Sequence, residues 1–308
     1  MRSSLSDSRT FAEALLVFCC LLWALAFLWT KDSLADADPM TFLVLRFAVG
    51  AAVLAPIAGR SLGDRVALRG GLQLGSILFI GYALQTAGLV YTTPARSGFI
   101  TGMCVVLVPI VSLLLFRRVP GIPALLGVVF AAGGLTLLTW PVGIADPGPA
   151  VGTLRGDLLT LAGAAVYAVH ICLTELWAPR AKAVALVGNQ LWVVALLALC
   201  SLPFVDVRFE PTTALWTGVL LSGALASSFA ISVQTWAQVR TTAVRAAVIF
   251  ALEPVFTAVL SSMMGREELG AREWLGGAMV VVGVLAAEVG GAFWARRQGA
   301  QSAVMNAE

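Results

Sequence analysis

Apolar residues fall into ten runs, at 11–31, 39–58, 70–90, 95–116, 121–140, 153–175, 183–203, 212–236, 243–264 and 271–294, joined by short polar connections. About 20 apolar residues in a helix span a hydrocarbon layer roughly 30 Å thick. The pattern therefore predicts an all-α polytopic membrane protein with ten transmembrane helices. The first run is too long for a secretory leader and lacks a small-residue cleavage site, so it reads as a retained first helix.

The pattern is also duplicated. Thr92-Thr93-Pro94-Ala95-Arg96 returns as Thr241-Thr242-Ala243-Val244-Arg245, and Leu126-Gly127 with Gly134 returns as Leu275-Gly276 with Gly283, all at one offset. Pro109 and Pro254 fall one turn out of that register. A block of five helices is odd, so a second copy enters the bilayer from the opposite face. The expected organisation is two inverted five-helix repeats, residues 1–145 and 150–297, followed by a polar tail at 298–308. Such inverted repeats are an architecture of alternating-access transporters, with the substrate site near mid-membrane where the halves meet. The Pro- and Gly-rich stretch 141–149 reads as the linker between them.

Composition agrees with the patterning: 59% of the 308 residues are hydrophobic and 12% charged, against about 45–50% and 25% in soluble domains. The net charge of +3 matters less than where the charges sit. With the N-terminus inside, thirteen Lys and Arg fall on inner segments and six on outer ones (Lys31, Arg96, Arg155, Arg208, Arg266, Arg272). The positive-inside rule then places both termini in the cytoplasm of a multi-pass inner-membrane protein. Seven of nine tryptophans (Trp29, Trp140, Trp177, Trp216, Trp236, Trp274, Trp294) lie near predicted span ends, as an interfacial belt requires. No basic face suggests nucleic acid. Cys19, Cys20, Cys104, Cys172 and Cys200 lie inside apolar runs without metal or redox spacing, and read as small core residues.

Polar groups at membrane depth are costly unless they face protein or water, so they mark a cavity. His170, the chain's one histidine, shares a helical stripe with Gly163, Tyr167 and Thr174; it is either a satisfied core group or a cavity donor. Tyr82 and Gln85 share a face of the third span, Gln234 and Gln238 a face of the eighth. Ser97, Thr101 and Cys104 form a stripe on the fourth, and Trp23 sits mid-span in the first. Each has a bland reading as helix-to-helix bonding. Gly98 and Gly102 read as close packing or as a moving contact. Glu253 precedes Pro254 in the ninth span, where the proline frees the Phe250 carbonyl and predicts a kink beside a buried carboxyl. That carboxyl is either structural or a cation or proton site. Arg46 is either a lattice arginine or an anchor for a carboxylate. Asn189 and Gln190 on the seventh span read as counterparts of Leu45 and Arg46. With no phosphate-binding loop and no H-E-x-x-H pair, direct ATP drive, zinc hydrolysis and enzymatic activity in general are not expected, and no cofactor or metal is called for.

Leu22-Trp23-Ala24, Leu45-Arg46-Phe47, the Thr92-to-Arg96 junction and Leu252-Glu253-Pro254-Val255-Phe256-Thr257 followed by Leu275-Gly276-Gly277 resemble the EamA-type branch of the drug/metabolite transporter superfamily. Within it the chain is most similar to bacterial amino-acid exporters of the YddG type. The resemblance covers essentially the whole chain. It implies a central cavity lined by helices one, three, four, six, eight and nine, and an inner-membrane secondary transporter exporting small metabolites, neutral or aromatic amino acids, by alternating access. Trp23, Tyr82, Phe99 and Tyr167 would stack on substrate; Gln85, Thr101, His170, Gln234 and Gln238 would hydrogen-bond it, with Arg46 and Glu253 as coupling or structural charges. The expected partners are a small-molecule substrate and the lipid bilayer, with the chain monomeric. The alternatives are an exporter of lipophilic cations with Glu253 as counter-charge, and a receptor or structural subunit without turnover. One departure is that Val108 stands where a Glu before Pro109 would make the halves alike.

Overall fold

The computed structural model describes residues 2–117, 120–139, 154–266, 268, 270–272 and 274–286. These form α1 (Arg9–Ser33), α2 (Pro39–Gly63), α3 (Arg65–Val90), α4 (Pro94–Phe116), α5 (Ile122–Leu137), α6 (Leu154–Arg180), α7 (Ala183–Phe204), α8 (Thr213–Ala237), α9 (Ala243–Met263) and α10 (Trp274–Ala286). Eight are long and apolar enough to cross a membrane; α5 and α10 are shorter apolar helices. Each falls within one of the ten apolar runs or overlaps it closely. Trp140, the 141–149 linker, Trp294 and the 298–308 tail lie outside the described residues. Outward-facing Ile57, Leu72, Leu114, Val129 and Leu285 present the apolar surface that a bilayer covers.

Local chemistry sets the helix starts. The Asp38 carboxylate accepts from Met40 N and Thr41 N at 2.9 and 3.1 Å to cap α2. Thr93 and Thr242, the repeated threonines, each cap their helix by accepting at 3.3 Å from the backbone N–H of Arg96 and Arg245. Such caps contribute about 1 kcal/mol each.

Three interruptions at mid-depth shape the interior. α4 breaks at Met103 and α9 at Ala251. In α9 the cause is Pro254, whose missing N–H leaves the ladder incomplete. The Ile249 carbonyl accepts the Cys20 thiol at 3.5 Å. α8 loosens into a π-helical segment at Ser222–Phe229, which apolar periodicity does not reveal.

Glycines let the helices approach until backbones meet. The repeated glycines touch one another reciprocally. A methyl added to Gly283 would lie 2.8 Å from the Gly127 carbonyl oxygen, and one on Gly134 would strike the Gly276 carbonyl, so α5 and α10 cross antiparallel. α4 and α9 do likewise, Gly98 facing Thr257 and Gly102 facing Pro254, as do α3 and α6, where Gly88 meets Gly156 and Gly81 meets Gly163. Lys31 Nζ on α1 donates to the Leu89 carbonyl on α3 at 2.8 Å, bringing Ser33 and Val90 to one end of the bundle. There Arg266 pairs with Asp32 at 2.8 Å, and the Asp32 carboxylate raises the Arg266 pKa by hydrogen bonding to its guanidinium.

Two apolar cores result. One draws on α1, α4, α5, α6, α9 and α10, the other on α2, α3, α7 and α8. The cysteines are free; four are buried, but Cys200 is exposed on α7, because its side of that helix has no neighbour to cover it.

Candidate functional site

A cavity with about 880 Å³ of atom-free space, its open mouth included, lies at the seam between the two cores. It reaches from His170, Gln234 and Ala247 at mid-depth to Thr30 and Leu89 at the Ser33 end.

Of the residues singled out by sequence, Trp23, Arg46, Tyr82, Gln85, Thr101, Tyr167, His170, Gln234 and Glu253 line it together. Two do not. Phe99 is packed into the first apolar core, since its side of α4 turns toward neighbouring helices. Gln238 lines a second cavity at the opposite end, with Arg9, Glu175, Pro179 and the α8–α9 connection.

The polar groups are organised in chains. Tyr167 OH donates to Gln85 Oε1 at 3.0 Å, and Gln85 Nε2 donates to Thr101 Oγ1 at 2.8 Å, tying α6 to α3 and α4. Gln234 Nε2 donates to Gln238 Oε1 at 3.1 Å, and Gln238 Nε2 donates to the Ile171 carbonyl at 3.0 Å. This second chain forms a floor between the two cavities. His170 is tied through Nε2 to Gln190 Oε1 at 3.0 Å, while the buried Gln190 amide nitrogen has no partner. Asn189 instead donates to the Leu62 carbonyl at 3.1 Å.

Arg46 is buried and held on one side. Its Nε donates to Ser227 Oγ at 3.0 Å, an Nη reaches Tyr82 OH at 3.4 Å, and its guanidinium lies 4.7 Å from the Tyr82 ring centre. Charge-assisted bonds and ring stacking offset the cost of removing a cation from water. The π-helical turn of α8 makes this possible by presenting Ser227 to Arg46 and the Ala226 carbonyl to Trp23 Nε1, 3.0 Å away. Trp23 stands edge-on to Phe250 at 5.2 Å, and Tyr82 to Tyr167 at 5.4 Å. The walls are therefore aromatic, with neutral amides, one arginine and one carboxylate directed inward. Among the described residues no cluster of His, Cys, Asp or Glu could hold a metal ion.

Sequence reasoning missed Phe250, Ile231 and Ser227. A usable signal existed for two of them: the offset of the repeated motifs carries Tyr82 onto Ile231 and Thr101 onto Phe250, just as it carries Gln85 onto Gln234 and Cys104 onto Glu253. All eight line the cavity. Ser227 gave none, because it depends on the π-helical turn.

An uncharacterized transporter of Archaeoglobus fulgidus is 28% identical over 278 residues, covering 90% of this chain and 85% of that one. A crystal structure of a protein superposes with a TM-score of 0.72 at 21% identity, covering 95% of this chain and 99% of the other, a likeness of fold. The sequence profile of the EamA-like transporter family matches residues 10–140 and 154–287, and the chain, a multi-pass membrane protein with a cavity at mid-depth, belongs to that family.

Proposed function

We propose that the protein is an alternating-access secondary transporter built from two inverted five-helix repeats, 1–145 and 150–297, that exports neutral or aromatic amino acids from the bacterial cytoplasm. The observation carrying this reading is the cavity at the seam, where repeat counterparts Gln85 and Gln234 meet aromatic walls. Amides supply donors and acceptors without the desolvation cost of a fixed charge, and rings supply area for an apolar side chain.

Inversion is supported by the antiparallel crossings of α4 with α9 and of α5 with α10, and by two separate stretches that match one family profile. Alternating access is supported by the placement of the two cavities. The offset carries Ala26, Thr30 and Leu89 of the main cavity onto Glu175, Pro179 and Gln238 of the second. The second cavity is then the vestibule of the other face, parted from the first by the Gln234–Gln238 floor. With both termini cytoplasmic, as the positive-inside bias requires, the Ser33 end faces outward. The transporter works on a small molecule in the bilayer and performs no covalent chemistry.

Glu253 favours a second reading, an exporter of lipophilic cations, since its carboxylate lies in the same cavity. Counterflow into proteoliposomes separates the two. Saturable exchange of radiolabelled neutral amino acids is expected, with an imposed pH gradient showing whether protons are coupled. Movement of a cationic dye with no amino-acid flux would replace the first reading with the second.

A further inference from the structure

Arg46 and Glu253 come from different halves of the chain, on α2 and α9, and line the same cavity. No ion pair joins them among the described residues, and both border the same cavity space. Arg46 is fixed from behind: Nε is held by Ser227, one Nη by Tyr82. Its remaining Nη has no partner among the described residues, yet is not among the sealed, unsatisfied atoms of the interior, so it is accessible from the cavity. Glu253 begins the second segment of α9, directly after the break at Ala251. Its carboxylate has no hydrogen-bonding partner among the described residues and is not sealed either. A basic and an acidic side chain, not paired with each other, face one aromatic chamber.

Resting on the transport reading above, we propose that Arg46 and Glu253 form a charge-paired clamp that selects zwitterions. Arg46 receives a carboxylate through its free Nη, Glu253 receives an ammonium, and Trp23, Tyr82 and Phe250 enclose the side chain between them. A ligand bearing one charge satisfies one end and leaves the other exposed to a like charge or to none. In a site of low dielectric that mismatch is costly. The departure from internal symmetry is then functional: the offset of the repeated motifs places Ala195, rather than Gln190, opposite Arg46 and Cys104 opposite Glu253, so each charged residue occurs once and the site has a direction.

The test is counterflow of radiolabelled L-phenylalanine, phenethylamine and 3-phenylpropionate by the purified full chain in proteoliposomes. The three share one ring and differ in charge. The wild type is expected to prefer phenylalanine at least tenfold over either analogue. Glu253→Gln should weaken phenylalanine about tenfold or more while leaving phenylpropionate unchanged or improved. Arg46→Gln should weaken phenylalanine and relatively improve phenethylamine. If the Arg46 variant does not fold, Glu253→Gln alone decides. Wild-type movement of phenylalanine that Glu253→Gln leaves untouched, or an equal loss for all three compounds, overturns the clamp and leaves the amino-acid reading standing. A wild type that moves phenethylamine and not phenylalanine overturns both.

Discussion

The two ends of the bundle are made from the same repeated motif and are closed differently. At the Ser33 end, Thr93 caps α4 and Arg96 makes a bidentate pair with Asp157 of α6, at 2.7 and 2.9 Å. At the opposite end, Thr242 caps α9 in the same way and Arg245 approaches Glu13 of α1 at 3.8 Å. The contrast lies at the residue after the capping threonine and one helix across. Glu175 accepts the Ala243 N–H at 2.6 Å and Gln238 donates to the Ile171 carbonyl, latching α6 to α8 and α9. The counterparts of Glu175, Ala243 and Gln238 are Ala26, Pro94 and Leu89. Alanine has no carboxylate, proline no N–H and leucine no amide, so the Ser33 end cannot form this latch. The main cavity reaches that end. The two ends thus share a backbone motif and differ in chemistry at three equivalent side-chain positions.

Giving the latched end the chemistry of the open one is the most direct way to break this comparison. Glu175→Ala with Ala243→Pro removes a hydrogen bond to a charged acceptor, about 1.5–3 kcal/mol, at a helix start where proline is tolerated. A Cys placed at Thr241 should then react with a membrane-impermeant maleimide at least tenfold faster. An unchanged rate would mean that the latch does not hold that face shut. The reverse transplant, Ala26→Glu with Pro94→Ala, should slow labelling of a Cys at Thr30 about tenfold, by building a latch where none exists; continued fast labelling would argue against equivalence of the two faces. Gln238→Leu, copying Leu89, removes the one neutral bond that crosses to α6, worth about 0.5–1.5 kcal/mol, together with the bond it accepts from Gln234, and should speed Thr241 labelling only two- to tenfold. The smallest effect belongs to Asp157→Asn. Its partly exposed ion pair is worth about 0.2–1 kcal/mol, so melting should fall by a few degrees at most, and the difference should vanish in high salt.

Among the site residues, Gln85 and Gln234 illustrate what could be seen early. Both are polar groups in apolar runs, at the repeat offset, and membrane energetics alone directs such groups inward. Phe99 shows the limit. It lies one residue from a glycine in an apolar run, and nothing in that pattern says whether its side of α4 meets a cavity or a neighbouring helix. Gln238 shares a face with Gln234 one turn away, but a rise of about 6 Å along the helix is enough to carry it through the floor into the second cavity.

The sequence alone determined the membrane-spanning helices, the duplication and the depth of the polar groups, because water-to-lipid transfer acts residue by residue and leaves its period in the chain. Tertiary structure decided which polar groups share a chamber, that the π-helical turn of α8 delivers Ser227 to Arg46, and which end is latched. Each of these rests on contacts between helices far apart in sequence, and which helices meet is not encoded in any local pattern.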